Sequence, residues 1–153
     1  MNVSYQRATL EQLELLVQTR IEVLRAANLL DDTVDMSAVE QTSRAYYREA
    51  LSDGTHTGYL ATIDGAFVGA GGVSYYRVMP TYHNPTGQKA YIMNMYVRPA
   101  YRRRGIATRL LELLVDDAHA RGISCITLEA TDAGRPLYAK FGFVPMAHEM
   151  ELP

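Results

Sequence analysis

The sequence predicts a single α/β domain, and three observations carry that expectation. Residues 91–97 read as an apolar strand, residues 106–121 as an amphipathic helix, and residues 124–128 as a short, nearly continuous apolar run of the kind buried strands show. Strand, helix and strand in that order make a crossover unit whose strands lie parallel and adjacent, joined right-handedly. Asp64-Gly65, set between two strand-like runs, is a hairpin turn. Finally, 153 residues suit one domain with a sizeable core, and no repeat, low-complexity segment or linker divides the chain, so the domain is 1–153.

The elements follow in order. Residues 3–7 form a short strand. Thr9 and Gln12 make a Thr-x-x-Gln capping box before a helix whose stripe is Leu10, Leu13, Leu16, Val17, Ile21 and Leu24. Residues 28–35 are a loop. Ser37 and Glu40 form a second capping box, opening a helix that Ser52-Asp53-Gly54 stops. Residues 58–63 alternate as a strand, and residues 67–78 return as its hairpin partner. Residues 80–87 hold two prolines, Asn84 and a glycine, and form a loop before the 91–97 strand. The next helix carries Ile106, Ala107, Leu110, Leu111, Leu114 and Ala118 on one face, and Gly122 ends it. After Thr131 a short helix ends at Phe141, with Gly142 as its stop, and Phe143 begins a last strand. The expected order is β-α-α-β-β-β-α-β-α-β.

Composition excludes several function classes. Hydrophobic residues at 48% and charged residues at 21% are those of a soluble globular protein. Net charge is −2, so the arginine cluster at residues 102–104 is local, which argues against nucleic acid as a partner. Cys125 is the sole cysteine, so there is no internal disulfide, and no zinc spacing exists. No signal peptide is visible and no apolar run approaches the ~20 residues that span a bilayer. The expectation is a cytoplasmic protein that partners neither membrane nor nucleic acid and holds no metal.

The most informative stretch is Val97-Arg98-Pro99-Ala100-Tyr101-Arg102-Arg103-Arg104-Gly105-Ile106-Ala107. A strand that feeds a helix through such a turn aims free backbone N–H groups, the positive end of the helix dipole and arginines at one point. That arrangement binds phosphate. An ordinary strand-to-helix connection with surface arginines reads the same way from the turn alone.

Arg102-Arg103-Arg104-Gly105-Ile106-Ala107 resembles the Q/R-x-x-G-x-G/A signature of the GNAT-family N-acetyltransferases. Val97-x-Pro99 before it and Leu137-Tyr138-x-x-Phe141-Gly142-Phe143 after it fit the same family, and the element order matches over nearly the whole chain. The resemblance implies the acyl-CoA N-acyltransferase fold, a mixed, mostly antiparallel sheet with a splayed central parallel pair. It implies transfer of acetyl from acetyl-CoA to a primary amine of a small molecule or peptide by direct attack, and a homodimer. The alternative is a non-catalytic acyl-CoA-binding sensor or scaffold on the same fold.

The resemblance also assigns residues. Coenzyme A carries a doubly charged pyrophosphate, which backbone N–H groups of Arg103, Arg104, Gly105, Ile106, Ala107 and Thr108 would cradle. Gly105 lets the backbone come close, and Ala107 keeps the next turn small. Arg102, Arg103 and Arg104 either add charge-assisted bonds to phosphate or stay solvated. Main chain at Met95, Tyr96 and Val97 would pair with the pantetheine amides where the two parallel strands splay. Many members carry an asparagine where this chain has Thr131, a residue that still caps the short helix. The run Asp132-Ala133-Gly134-Arg135-Pro136 resembles that of a subgroup with Gly-Arg-Pro-Leu-Tyr, and Arg135 joins the cofactor-binding set.

Tyr138 matches the family's tyrosine. A phenol there can protonate the departing thiolate as general acid, its pKa near ~10 keeping it protonated at neutral pH. The plainer account is a packed tyrosine that anchors the sulfur. Some members place a basic glutamate where this chain has Tyr91, a poor base. Glu129, Asn94, or water relayed through backbone carbonyls remain to carry the acceptor's proton, Glu129 reading first as a solvated strand-end charge. His56, His83, His119 and His148 lack metal-ligand spacing and read as solvated. Tyr75, Tyr76, Tyr82, Tyr91 and Tyr96 fall on elements that border the acceptor site by the family's layout, and alternation sends only some of them to that face. Arg20, Arg25, Arg44 and Arg48 lie in the first two helices, either drawing an acceptor carboxylate or serving as surface charge. The acceptor stays open among amino acid, polyamine, antibiotic and protein N-terminus.

Overall fold

The computed structural model describes residues 2–153. Its elements are β1 (Ser4–Arg7), α1 (Leu13–Ala27), α2 (Ser37–Asp53), β2 (His56–Ile63), β3 (Ala66–Arg77), β4 (Gln88–Val97), α3 (Ile106–Ala120), β5 (Ile126–Leu128) and α4 (Arg135–Phe141). Single 3-10 turns lie at Leu10–Gln12 and Pro99–Tyr101. The strands form one sheet in chain order. Successive strands from β1 to β4 pair antiparallel, and β4 pairs β5 in parallel, as the crossover unit requires.

Apolar faces cover the sheet on both sides. α1 and α2 lay Leu16, Val17 and Tyr47 on Leu60, Phe67 and Ala70. α3 turns Ile106, Leu110, Leu111, Leu114 and Ala118 onto Ala61, Val68, Val73 and Ile92 on the opposite face. Five of the six residues in the stripe read from the sequence are therefore buried, each at most 1% exposed, while Ala107 in the first turn is half-buried. Burying a leucine or isoleucine fully contributes roughly 1.5–3 kcal/mol, so α3 is held by packing more than by helix propensity.

Local signals explain most boundaries. Gln12 Oε1 accepts the Thr9 N–H at 2.8 Å and Thr9 Oγ1 accepts the Glu11 N–H at 3.3 Å, which caps the helical entry. Asp64 and Gly65 both take positive φ, 50° and 80°, as a tight hairpin turn demands. The second capping box does not form. Ser37 is already helical, Met36 is the cap, and the Asp35 carboxylate accepts the Ser37 N–H at 2.9 Å. A charged acceptor upstream outcompetes a serine hydroxyl, while Glu40 is taken by Arg44 and Gln18.

Two features of β4 shape the middle of the molecule. Gly72 pairs Met93 but Ala70 pairs Tyr96, so the strand carries a bulge around Asn94, which sits at φ 61°. Asparagine tolerates that left-handed conformation better than most residues. The last pairing with β5 is Ile92 with Leu128. Beyond it, Tyr96 and Val97 keep only β3 as a neighbour, so one edge of β4 is unpaired.

The strand expected from Phe143 is not formed, and no strand follows α4 among the described residues. Phe143 turns back, its N–H donating to the Tyr138 carbonyl at 2.9 Å and its ring packing on Tyr138 and Phe141. Val144, Met146, Met150 and Leu152 are exposed. β5 is only three residues long and offers a short ladder, and Pro145 removes a donor from the segment that would pair with it.

Candidate active site

The turn between β4 and α3 holds two left-handed residues, Arg103 at φ 62° and Gly105 at φ 80°. Gly105 is the N-cap, with no side-chain bond across it. The first backbone bond into α3 joins the Arg109 N–H to the Gly105 carbonyl at 3.0 Å. The N–H groups of Ile106, Ala107 and Thr108 thus belong to the unpaired first turn and point along the axis. A Cβ built on Gly105 meets nothing within 4 Å, so the space above the turn is open. Open space, unpaired donors and the positive end of a 15-residue helix fit a pyrophosphate. Arg102 bonds the Val97 carbonyl through Nε at 3.0 Å, Arg104 lies over the Tyr101 ring at 5.5 Å, and Arg103 is exposed.

The unpaired edge of β4 lies next to that turn in the chain. Met95, Leu128 and Tyr138 all pack against the core cluster built on Ile92 and Leu114. Met95 and Tyr138 thus share a core cluster with Ile92 and Leu128, the last pair that joins β4 to β5. Thr131 organises the approach to α4: its Oγ1 accepts the Gly134 N–H at 3.1 Å and its carbonyl accepts the Arg135 N–H at 3.0 Å. Arg135 opens α4 and is exposed. Burial pushes the Tyr138 phenol above its ordinary value, so it holds its proton at neutral pH.

The other face of β3, β4 and β5 carries polar groups. Ser74 stands opposite Tyr91, and Tyr91 opposite Thr127, so Ser74, Tyr91 and Thr127 share the α1–α2 side of the sheet. Tyr76 and Met93 follow by alternation. Tyr75 faces the other way and donates to Asp117 on α3 at 2.5 Å. Tyr96 packs beside α1, and Tyr82 is exposed in the β3–β4 loop. Burial, and after it the negative charge of Glu129, push the Tyr91 phenol up. Glu129 itself is exposed. From α1, Arg20 donates through Nη1 to Asn94 Oδ1 at 3.1 Å.

His56 corrects the sequence reading, which placed all four histidines at solvent. It is 7% exposed. β2 begins two residues before the alternation suggested, which carries His56 under α2. Gly72 on β3 leaves the room, since a Cβ there would lie 2.9 Å from the imidazole. The Tyr46 hydroxyl lies 2.9 Å from His56 Nδ1 and 2.6 Å from Ser74 Oγ. Burial first, and the Arg20 charge second, push the imidazole down to about 4, so it is neutral. A histidine two residues before a glycine-containing alternating run was the available signal. The Arg20–Asn94 contact had none, because it depends on the bulge.

Two surface concavities, of about 520 and 570 Å³, both include Gly54 and Arg121 and lie at the C-terminal end of α3. A 15-residue helix is about 22 Å long, which separates them from the Gly105 turn. They are shape features of the sheet's far end. Among the described residues no group of three or more His, Cys, Asp or Glu could hold a metal, and no helix is long and apolar enough to cross a membrane.

A strand that parts from its parallel neighbour below a glycine-capped helix defines an acyl-CoA-binding fold, and known proteins give it a family. The acetyltransferase (GNAT) family matches over residues 23–143, and the chain belongs to it. Enzymes of this family take acetyl-CoA as co-substrate. No protein of curated function matches the sequence. A predicted acetyltransferase from Clostridium acetobutylicum, solved with acetyl-CoA, is 31% identical, with 99% of this chain and 96% of that one covered and a TM-score of 0.91. A GCN5-related N-acetyltransferase from Ralstonia eutropha JMP134 is 29% identical over 99% and 98% of the chains, with a TM-score of 0.86. An aminoglycoside acetyltransferase from an uncultured soil metagenomic sample shares the fold at 23% identity, 100% and 99% coverage and a TM-score of 0.73.

Proposed function

We propose that this chain transfers the acetyl group of acetyl-CoA to a primary amine of a small molecule or peptide by direct attack, within one domain. The observation that carries the reading is the unpaired edge of β4, which runs toward the open Gly105 turn, with Met95 and Tyr138 packed on one core cluster. Acetyl-CoA supplies an activated thioester. The chain's N–H groups at Ile106, Ala107 and Thr108 hold the pyrophosphate, and main chain at Met95 to Val97 holds the pantetheine arm. The acceptor nitrogen bonds to the thioester carbon, the C–S bond breaks, and the sulfur takes the proton of Tyr138 Oη. The ammonium proton of the acceptor leaves to water before attack, and the second proton, shed by the nitrogen as the amide forms, returns through water to the Tyr138 phenolate.

No carboxylate is essential in this reading. An aliphatic ammonium has a pKa near ~10.4, so about one molecule in 10³ is neutral at pH 7 and competent to attack. Glu129 is exposed beside Tyr91, a position suited to attracting the ammonium. Thiol release on a panel of amines tests the activity. On a turned-over amine, Glu129→Gln changes kcat/KM less than tenfold, and the rate rises with pH toward the acceptor's pKa. A loss of a hundredfold or more, with coenzyme A binding preserved, makes Glu129 the base.

A further inference from the structure

Arg20 is a half-buried cation of α1 that reaches β4 and has no ion-pair partner among the described residues. Arg25 of α1 and Arg44 of α2 have partners of their own, and Arg48 is exposed. Arg44 forms a two-pronged pair with Glu14, at 2.8 Å for each contact, and also reaches Glu40. Arg25 donates to the Asp31 carbonyl. Glu22, two residues from Arg20, is taken by Arg98. Arg20 is half-buried between α1 and β4, and among the described residues no carboxylate lies within ion-pair distance of it. Its hydrogen bond goes to a neutral amide, Asn94 Oδ1. A guanidinium has five N–H donors, so most remain for a ligand.

The surroundings are uncharged or of opposite sign at a distance. His56 and Tyr47, both close enough to feel the Arg20 charge, are neutral at pH 7. Glu129 and Glu149 lie near Tyr91, three residues along β4 from Asn94 and so about 10 Å away at ~3.3 Å per residue. Along β4 the charge is therefore positive at Asn94 and negative beside Tyr91. A zwitterion fits that field.

We infer that the acceptor is an amine that also bears a carboxylate, a free amino acid, with Arg20 as the residue that selects it. The inference rests on the acetyltransferase reading above. Asn94 adjoins Met95, where the thioester end of the donor lies in that reading. A carboxylate held by Arg20 is then only a few bonds from the attacking nitrogen, which suits a free amino acid better than a long peptide. A planar fork of donors matches a carboxylate in two contacts, and one positive charge balances one carboxylate where a phosphomonoester would leave an excess.

The test compares free L-amino acids, the matching L-amino-acid amides and O-phosphoethanolamine as acceptors, with thiol release as the readout. The best acid exceeds its amide by tenfold or more in kcat/KM. Arg20→Met lowers the acid at least tenfold and the amide less than threefold, with KM for acetyl-CoA unchanged, and Arg20→Lys falls between. Equal use of acid and amide, preference for the phosphate, or equal loss on both acceptors in Arg20→Met overturns the inference, the last outcome making Arg20 a prop for the bulge. If Arg20→Met does not fold, the wild-type preference for acid over amide decides. If no acceptor in the panel turns over, N-acetyl-L-amino acids are tested for heat protection of the coenzyme A-loaded protein against their amides, and no discrimination overturns the inference. Calorimetry with acetyl-CoA reads the acetyltransferase proposal separately. Binding without acceptor discrimination defeats only the carboxylate, whereas absent binding defeats both.

Discussion

Tyr138, half-buried on α4, and His56, buried under α2, are both held in the uncharged form by burial. For Tyr138 that form is the proton donor. Positioned general acids contribute roughly 10²–10⁴-fold, so Tyr138→Phe should lower kcat by that range with acetyl-CoA affinity little changed. A variant with wild-type kcat, where chemistry limits the rate, would leave Tyr138 as packing on Phe143. For His56 the consequence is a stability that depends on pH. Its folded pKa, about 4, lies below the unfolded 6.5. Above pH 6.5 both states are neutral. As pH falls from 6.5 toward 4 the unfolded chain binds a proton that the folded chain does not, so stability is lost in that window, about 2 kcal/mol of it by pH 5. Urea midpoints at pH 7.5 and pH 5 should differ clearly in wild type, and by much less in His56→Gln. Equal differences in the two proteins would show that His56 charges without penalty.

Between elements, Asp117 is the polar tie of α3 to the sheet. It pairs with Arg7 of β1, accepts the Tyr75 hydroxyl of β3, and meets Arg121 at 3.2 Å, with its side chain 9% exposed. Arg121 in turn lies 4.0 Å over the Tyr75 ring. Asp117→Ala strands two of these partners, and about 3 kcal/mol is expected, somewhat below a fully buried pair because Arg7 is half-exposed. That corresponds to a fall of roughly 6–12 °C in Tm, and a fall under 2 °C would mark the network as solvated. Asp117 lies outside the apolar stripe of α3 that the sequence predicts. Its partners come from segments far away in the chain, so nothing local announced the tie. The same limit separates what was legible from what was not. The α3 stripe, the Asp64-Gly65 hairpin and the crossover strands are local or nearly local patterns, and they appear where expected. The Asn94 bulge needs the register of β3, and the burial of His56 needs Gly72 across the ladder. The missing last strand depends on β5 being only three residues long. The motif residues of the proposed site stand out in the sequence because they repeat a family pattern, while Arg20 and Asn94 meet only in three dimensions.

At the scale of the whole molecule, the proposed donor site draws on β4, the first turn of α3 and α4, so a ligand there bridges segments from residue 95 to residue 138. The packing of α3 joins the first two, but α4 touches the core through Tyr138 and Phe141 at its edge. A ligand that binds only the folded chain stabilises it by RT ln(1 + [L]/Kd), about 2.7 kcal/mol at a hundred times Kd. For a chain of 153 residues this is a rise of roughly 5–11 °C in Tm. Gly105→Val separates two contributions. Valine at φ 80° is strained, so the ligand-free Tm should fall by the equivalent of about 1–3 kcal/mol. Its side chain would also stand in the open space over the turn, and a tenfold weaker Kd removes about 1.4 kcal/mol of the ligand-induced gain. Thermal scans of both proteins across a coenzyme A titration read the two effects independently. A Gly105→Val protein with a lowered ligand-free Tm but the full wild-type shift would mean that the phosphate does not sit over this turn. A reduced shift, with the remaining rise recovered only at higher coenzyme A, places the pyrophosphate at Gly105.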